Sequence, residues 1–157
     1  FDRLGAVVVE LDGADKFSNV FPLLGPDGFG PTLLGLVDEQ ESGKWVNAFK
    51  GKRSTVVDKK VFISDIDLED EYTRALGGPV AAKALIDGKF CKAQGLLQST
   101  GVESIEKLGP EAVAKFCRDK GKVEAATCIA EALTPDAAEK IGSVSRLVRT
   151  LNELSKQ

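Results

Sequence analysis

The residues best suited to chemistry in this chain are carboxylates that follow two short apolar runs. Asp38 comes directly after Leu33–Val37, and five acids without a Lys or Arg among them come shortly after Val61–Ile63. Both runs have the pattern of strands buried on both faces. Because open α/β folds place their sites at the carboxyl ends of parallel strands, we expect these acids to share one crevice. The acids are Asp38, Glu39, Glu41, Asp65, Asp67, Glu69, Asp70 and Glu71.

Carboxylates gathered in one crevice repel one another and raise one another's pKa values, and a divalent cation resolves that conflict. Oxygen ligands without His or Cys select Mg²⁺ or Mn²⁺ over zinc. The alternating acids Asp65, Asp67 and Glu69 suit a loop that turns into a helix N-terminus, where the helix dipole favours negative charge. The plainer interpretation is an acidic first helical turn together with one exposed acid after a strand. The residues alone leave both interpretations open.

The composition excludes several kinds of site. The 157 residues include no His, so hydrolases with an imidazole base, two-His-one-carboxylate iron sites and His-rich zinc sites are all excluded. Cys91, Cys117 and Cys128 lack the paired short spacing of a zinc site, which favours buried, reduced thiols in a cytoplasmic protein. No apolar run is long enough to cross a bilayer, and no signal peptide is visible. The chain begins without Met, which suggests that a first strand or a further domain precedes Phe1.

The order of predicted elements indicates an α/β fold. Strands are predicted over 5–9, 33–37 and 61–63, with crossover segments at 15–24 and 44–49, a spacing typical of a mostly parallel sheet flanked by helices. The second half is predicted to be helical. The last helix should place Val144, Leu147, Val148, Leu151 and Leu154 on one stripe. Helices are expected near 66–76, 80–87, 90–99, from Pro110, over 123–133, and after a Thr134 cap.

A basic segment lies between the two apolar runs that precede the acids. Lys50, Lys52 and Arg53 are followed by Lys59 and Lys60 within a loop. A solvated surface loop is the simpler interpretation. The functional alternative is contact with phosphates, which sequence-independent nucleic-acid binding requires.

Four runs in this order resemble the Toprim region of the overcoming-lysogenisation-defect (OLD) family of nucleases. They lie at 5–13, 23–25, 33–38 and 61–77, and the stretch Asp67-Leu-Glu-Asp-Glu71 is the most specific of them. The resemblance covers residues 5–78 and identifies residues 1–78 as a Toprim-like catalytic core whose first strand is missing. Residues 79–157 match loosely as a helical region beside that core, with Gly121-Lys122 similar to the family's Gly-Lys segment.

The resemblance implies a metal-dependent DNA endonuclease that works by a two-metal mechanism with Mg²⁺ or Mn²⁺. It makes Asp38, Asp67 and Glu69 metal ligands and adds Asp65 as a further one. It makes Lys122 the catalytic cation near the scissile phosphate. It also implies DNA as a partner, an ATPase domain in the same full-length polypeptide and a cytoplasmic location without a membrane, and it allows a homodimer.

Some residues depart from the family pattern and keep other functions open. The Glu-Gly that follows the family's first strand is not in this chain, and Gln40 stands where many Toprim domains have a second Asp. No Walker loop is present. One alternative is therefore a Toprim-like scaffold or interaction domain with impaired catalysis. Another is a phosphohydrolase with an aspartyl nucleophile at Asp65.

Overall fold

A computed structural model describes residues 5–9, 11, 16–50 and 52–156. The described chain is a mixed α/β protein that is mostly helical and contains a two-stranded parallel sheet. It divides into two compact units, which we call the sheet unit (residues 1–66 with 142–157) and the helical unit (67–141).

Among its described residues, the sheet unit is built from two strands and four helices. Its elements are α1 (Phe17–Leu24), β1 (Gly35–Asp38), α2 (Glu39–Ala48), α3 (Arg53–Val56), β2 (Val61–Ser64) and α10 (Gly142–Leu154). All four residues of β2 are buried, as expected of a strand covered on both faces. The strands are parallel, and Gly35 pairs in register with Val61 and Asp38 with Ser64.

The core of the sheet unit forms around an aromatic pair. The rings of Phe17 and Trp45 stack with centroids 3.6 Å apart and an interplanar angle of 9°. Trp45 also lies directly against Gly35, where any side chain would collide with the indole ring. Glycine at the start of β1 therefore lets helix α2 approach the sheet closely.

One edge of the sheet is closed by α10. The Gly35 N–H donates to the Lys60 carbonyl. Because the backbone groups of successive residues in a strand point to opposite sides, those of Phe62 face β1 and those of Ile63 face away from it. Arg146 in α10 donates from Nη2 to the Ile63 carbonyl at 2.8 Å, and its Nε lies 2.8 Å from Asp58 Oδ1. The hydroxyls of Ser64 and Ser143 share a buried hydrogen bond of 3.2 Å. These contacts hold α10 against β2.

The helical unit contains α4 to α9 and one 3₁₀ turn. Its elements are α4 (Leu68–Leu76), α5 (Gly78–Asp87), α6 (Ala93–Thr100), the 3₁₀ turn (Ile105–Lys107), α7 (Pro110–Lys120), α8 (Lys122–Ala132) and α9 (Pro135–Ala138). Gly77 joins α4 to α5 with a φ of 81°, a conformation that favours glycine. Helix α7 packs against α4, α5, α6 and α8. Its buried face carries Val113, Ala114, Phe116 and Cys117.

Two details differ from the sequence predictions, and a third prediction falls partly outside the described residues. The segment 5–9 forms no strand, and Val7, Val8 and Val9 are 87%, 69% and 56% exposed. β propensity acts through pairing with a neighbouring strand, and this segment has none among the described residues. Asp15, the start of the first expected crossover, lies outside those residues. The predicted stripe on α10 is only partly covered, and Ser143 is the buried residue of that helix.

The cysteines, too, are less uniformly buried than expected. All three are free thiols, but only Cys117 is buried, because it faces inward from α7, whereas Cys91 and Cys128 are partly exposed. Within the described ranges, no helix is both long and apolar enough to cross a membrane. The boundary between the two units falls after Ile66, ahead of the expected domain boundary between residues 78 and 79, which stays a prediction.

Candidate functional site

Two acids lie at the carboxyl edge of the small parallel sheet. Asp38 ends β1 and is in register with Ser64, the last residue of β2, and Asp65 follows immediately. Asp38 is half-buried and Asp65 is exposed. Asp38 also occupies the N-cap position of α2 without using its side chain to cap that helix. The sheet therefore brings these two acids to one edge, as the sequence predicted from strand order.

Asp67 has a structural role within the helical unit. Its Oδ1 accepts a hydrogen bond from the Asp70 N–H at 2.9 Å and so caps the N-terminus of α4. Arg118 Nη1 donates to both carboxylate oxygens, at 2.9 Å to Oδ1 and 2.7 Å to Oδ2. Asp67 is buried and Arg118 is partly exposed. Both oxygens of this acid are thus engaged by groups of the same unit.

The neighbouring acids of α4 also face cations. Lys122, the first residue of α8, places Nζ 3.5 Å from Glu69 Oε2. Arg74 lies one turn along α4 from Asp70 and pairs with it at 2.9 Å. Glu69 and Asp70 are both buried, which is tolerated because charged partners compensate the loss of water. The structure therefore brings together Glu69 and Lys122, two of the predicted site residues, as an ion pair.

Arg118 carries the electrostatic consequence of this arrangement. Burial acts to lower the pKa of its guanidinium, but the hydrogen bond and charge of Asp67, with the charges of Asp70 and Glu69, outweigh burial and raise it. Arg118 is therefore a permanent cation among three carboxylates. No sequence pattern indicates this role, because Arg118 is 51 residues from Asp67 and belongs to another helix.

The phenol of Tyr72 and the thiol of Cys117 lie near these acids. Burial raises the pKa of Tyr72 well above its ordinary value, and the nearby Cys117, Glu69 and Asp67 add to the shift. Burial likewise raises the pKa of Cys117 to about 11, with Glu69 contributing in the same direction. Both groups stay neutral at physiological pH, so neither is poised to act as a nucleophile or base.

The basic segment separates into paired and solvated cations. Arg53 Nη2 donates to both carboxylate oxygens of Glu39, at 2.7 Å and 2.8 Å, and Nη1 donates to the Ser42 hydroxyl at 3.0 Å. This side chain joins α3 to the start of α2. Lys50 and Lys52 are exposed, whereas Gly51 between them lies outside the described residues. Of the three residues predicted to contact phosphates, Arg53 is therefore bound to Glu39 and Ser42 of the same unit, whereas Lys50 and Lys52 extend into solvent.

The carboxylates do not form a closed metal cage in the part of the chain that the structure describes. There, no group of three or more His, Cys, Asp or Glu side chains is arranged to hold a metal ion.

Comparison with known proteins finds no family model, no curated protein and no solved structure that matches this chain.

Proposed function

We propose that this chain is a metal-dependent DNA endonuclease domain of the Toprim type, as found in the OLD-family nucleases it resembles. One observation carries the geometric side of the proposal: Asp38, the last residue of β1, and Asp65, the residue after β2, lie at the same edge of a parallel sheet. The resemblance of residues 5–78 supplies the reaction type and the DNA substrate. An ATPase domain in the same full-length polypeptide belongs to the same proposal.

The donor chemistry at the sheet edge fits a hard divalent cation. Asp38 and Asp65 offer carboxylate oxygens, and neither the edge nor the chain offers an imidazole that would favour zinc. Bound Mg²⁺ or Mn²⁺ would supply Lewis-acid stabilisation of the charge that develops on a phosphodiester. The proposal assigns Asp38 and Asp65 as residues that would hold it.

Asp67 and Glu69 are less directly suited to bind the metal ion. Both carboxylate oxygens of Asp67 accept hydrogen bonds from Arg118, and Glu69 pairs with Lys122. A metal ion would therefore have to compete with a cation at each acid. Asp67 and Glu69 are proposed as ligands because of the resemblance. Lys122 keeps its proposed role beside the scissile phosphate on the same basis, and Lys50 and Lys52 would contact the DNA backbone.

A nicking assay tests the proposal. The purified chain should convert supercoiled plasmid to open circles in Mn²⁺ or Mg²⁺ and should lose that activity on chelation. Asp38→Asn should abolish nicking, whereas Asp27→Asn, an exposed acid in the turns after α1, should leave it unchanged. Wild-type chain without metal-dependent nicking, or Asp38→Asn with full activity, would contradict the proposal.

The second candidate is a non-catalytic scaffold or interaction domain. The observation that favours it is the Asp67–Arg118 pair, in which a proposed ligand instead caps α4 and ties it to α7. A chain that binds neither Mn²⁺ nor Mg²⁺ at millimolar metal, and does not nick DNA, would support this function over the first.

A further inference from the structure

The helical unit contains a cavity that the proposed nuclease chemistry does not use. It has a volume of about 360 Å³ and lies between the turn after α5, helix α6 and the end of α7. We call it the Phe90 pocket. It is lined by Phe90, Cys91, Gly95, Ser99, Phe116 and Lys120. Its size falls within the range of small-molecule sites, roughly 300–1,000 Å³.

The walls of the Phe90 pocket are apolar and its rim is polar. The rings of Phe90 and Phe116 meet edge to face, with centroids 6.2 Å apart and an interplanar angle of 89°. Cys91 is partly buried, and burial, with Cys128 nearby, raises the pKa of its thiol, so this wall stays uncharged at neutral pH. Ser99 and Lys120 are exposed, and Lys120 is the charged residue of the lining.

Gly95 lines the pocket without a side chain of its own. It lies inside helix α6, where glycine costs about 0.5–1 kcal/mol relative to alanine. Neither usual reason for a helical glycine applies, because a Cβ there would meet nothing within 4 Å and its φ is not positive. A side chain at this position would meet open space, so a larger residue can be introduced there to test the pocket that Gly95 lines.

We propose that the Phe90 pocket binds a small aromatic carboxylate, with the ring against Phe90 and Phe116 and the carboxylate at Ser99 and Lys120. A third ring can pack on an edge-to-face pair without displacing either member. The hydroxyl and the ammonium supply donors, which suit an anion better than a neutral or cationic ligand. This site is independent of the nuclease proposal, since none of its residues is assigned to metal or DNA.

Protection of Cys91 from alkylation tests the proposal directly. The probe is benzoate, and its neutral counterpart is benzamide. The iodoacetamide reaction is followed by peptide mass spectrometry, with Cys128 as the internal reference because it contacts Gly88 and is not part of the lining. Benzoate should slow alkylation of Cys91 severalfold and saturably, should leave Cys128 unchanged, and should protect better than benzamide.

Two variants locate the binding. Gly95→Leu should fill the pocket and abolish the protection by benzoate, while the fold is kept because α6 gains a better helix former. The matched control is Gly43→Leu, at a helical glycine of α2 whose Cβ position is also open. Lys120→Gln should weaken benzoate roughly two- to fivefold, the effect expected of an exposed charge, and should not change benzamide.

The outcomes separate cleanly. Saturable protection that Gly95→Leu removes and Gly43→Leu keeps would establish the site. The proposal is overturned by any of three results: no protection of Cys91 at tens of millimolar benzoate, equal protection of Cys91 and Cys128, or unchanged protection in Gly95→Leu. If Gly95→Leu fails to fold by circular dichroism, Lys120→Gln decides, and equal benzoate affinity in that variant overturns the anion assignment.

Discussion

Arg118 Nη1 lies 2.9 Å and 2.7 Å from the two carboxylate oxygens of Asp67, and the same carboxylate caps helix α4. One acid therefore joins two helices that are distant in sequence. The acidic stretch Asp67–Glu71 thus has a structural role in the helical unit through Asp67. Substitutions at this pair can separate the structural role of Asp67 from its proposed role as a metal ligand.

Removing Arg118 should destabilise the helical unit. Arg118→Met leaves the buried Asp67 carboxylate without its cation, and we expect a loss of about 2–3 kcal/mol in the free energy of unfolding, less than for a fully buried pair because Arg118 is partly exposed. Urea unfolding measures this loss. Adding Asp67→Asn, which keeps a capping side chain, should recover at least half of it. A cost below about 0.5 kcal/mol for Arg118→Met would show that the pair is only a surface contact.

The same variant tests whether Asp67 is a metal ligand. If it is, Arg118→Met removes a competing cation and should raise the affinity of the chain for Mn²⁺ above that of wild type. The matched control is Lys115→Met, on the same helix, where the lysine pairs with the exposed Asp119. Unchanged Mn²⁺ affinity in Arg118→Met would remove Asp67 from the proposed ligand set.

Stability should fall in alkaline solution because of Cys117. The thiol has an ordinary pKa of 9.0 and a folded-state pKa of about 11, raised first by burial. Between these values the unfolded chain loses the proton and the folded chain keeps it, so stability is complete below pH 9.0 and declines as the pH rises towards 11. The decline from this group is on the order of 2–3 kcal/mol. Tyr72 acts in the same direction at higher pH.

Urea unfolding under reducing conditions from neutral pH to pH 11 measures that decline. Cys117→Ala should be less stable at neutral pH, because it leaves a small cavity, but should lose less stability per pH unit above pH 9.0. The comparison between the two chains removes the contribution of the lysines, which titrate in both. Identical slopes in Cys117→Ala and wild type would contradict the account.

Gly35 should not tolerate a side chain. The Cβ of Gly35→Ala would collide with the ring of Trp45, which is held by its stacking on Phe17. Overpacking of this kind costs about 1–3 kcal/mol, and we expect the loss to appear in both thermal unfolding and Trp fluorescence. Gly43→Ala, at an open helical position, is the control and should be neutral or stabilising. Wild-type stability in Gly35→Ala would show that the strand and α2 are not in close contact.

The basic segment should give different results for its lysine and its arginine. Lys52→Gln should weaken DNA binding and reduce its salt dependence by about one phosphate contact, with little change in stability. Arg53→Gln should act mainly on stability, because it breaks the contacts to Glu39 and Ser42. Fluorescence anisotropy at several salt concentrations, beside urea unfolding, measures both. Equal effects on DNA binding would show that Arg53 also contacts phosphates.

Local patterns predicted most elements but not their partners. The apolar runs before Asp38 and Asp65 became β1 and β2, and Thr134 caps α9 by accepting from the Ala137 N–H, because these features depend on neighbouring residues. The expected strand at 5–9 is wrong because a strand needs a partner that its own residues do not specify. Arg118 and Arg146 could not be assigned, because their partners Asp67 and Ile63 are 51 and 83 residues away.

Binding of Mn²⁺ to the purified chain, followed by electron paramagnetic resonance of the free ion, tests the central claim most directly. The claim is that Asp38 and Asp65 hold a divalent cation at the carboxyl edge of the sheet. We expect saturable binding that Asp38→Asn and Asp65→Asn each weaken about tenfold or more and that Asp27→Asn leaves unchanged. Absence of saturable binding at millimolar Mn²⁺, or equal affinity in all four chains, would contradict the claim.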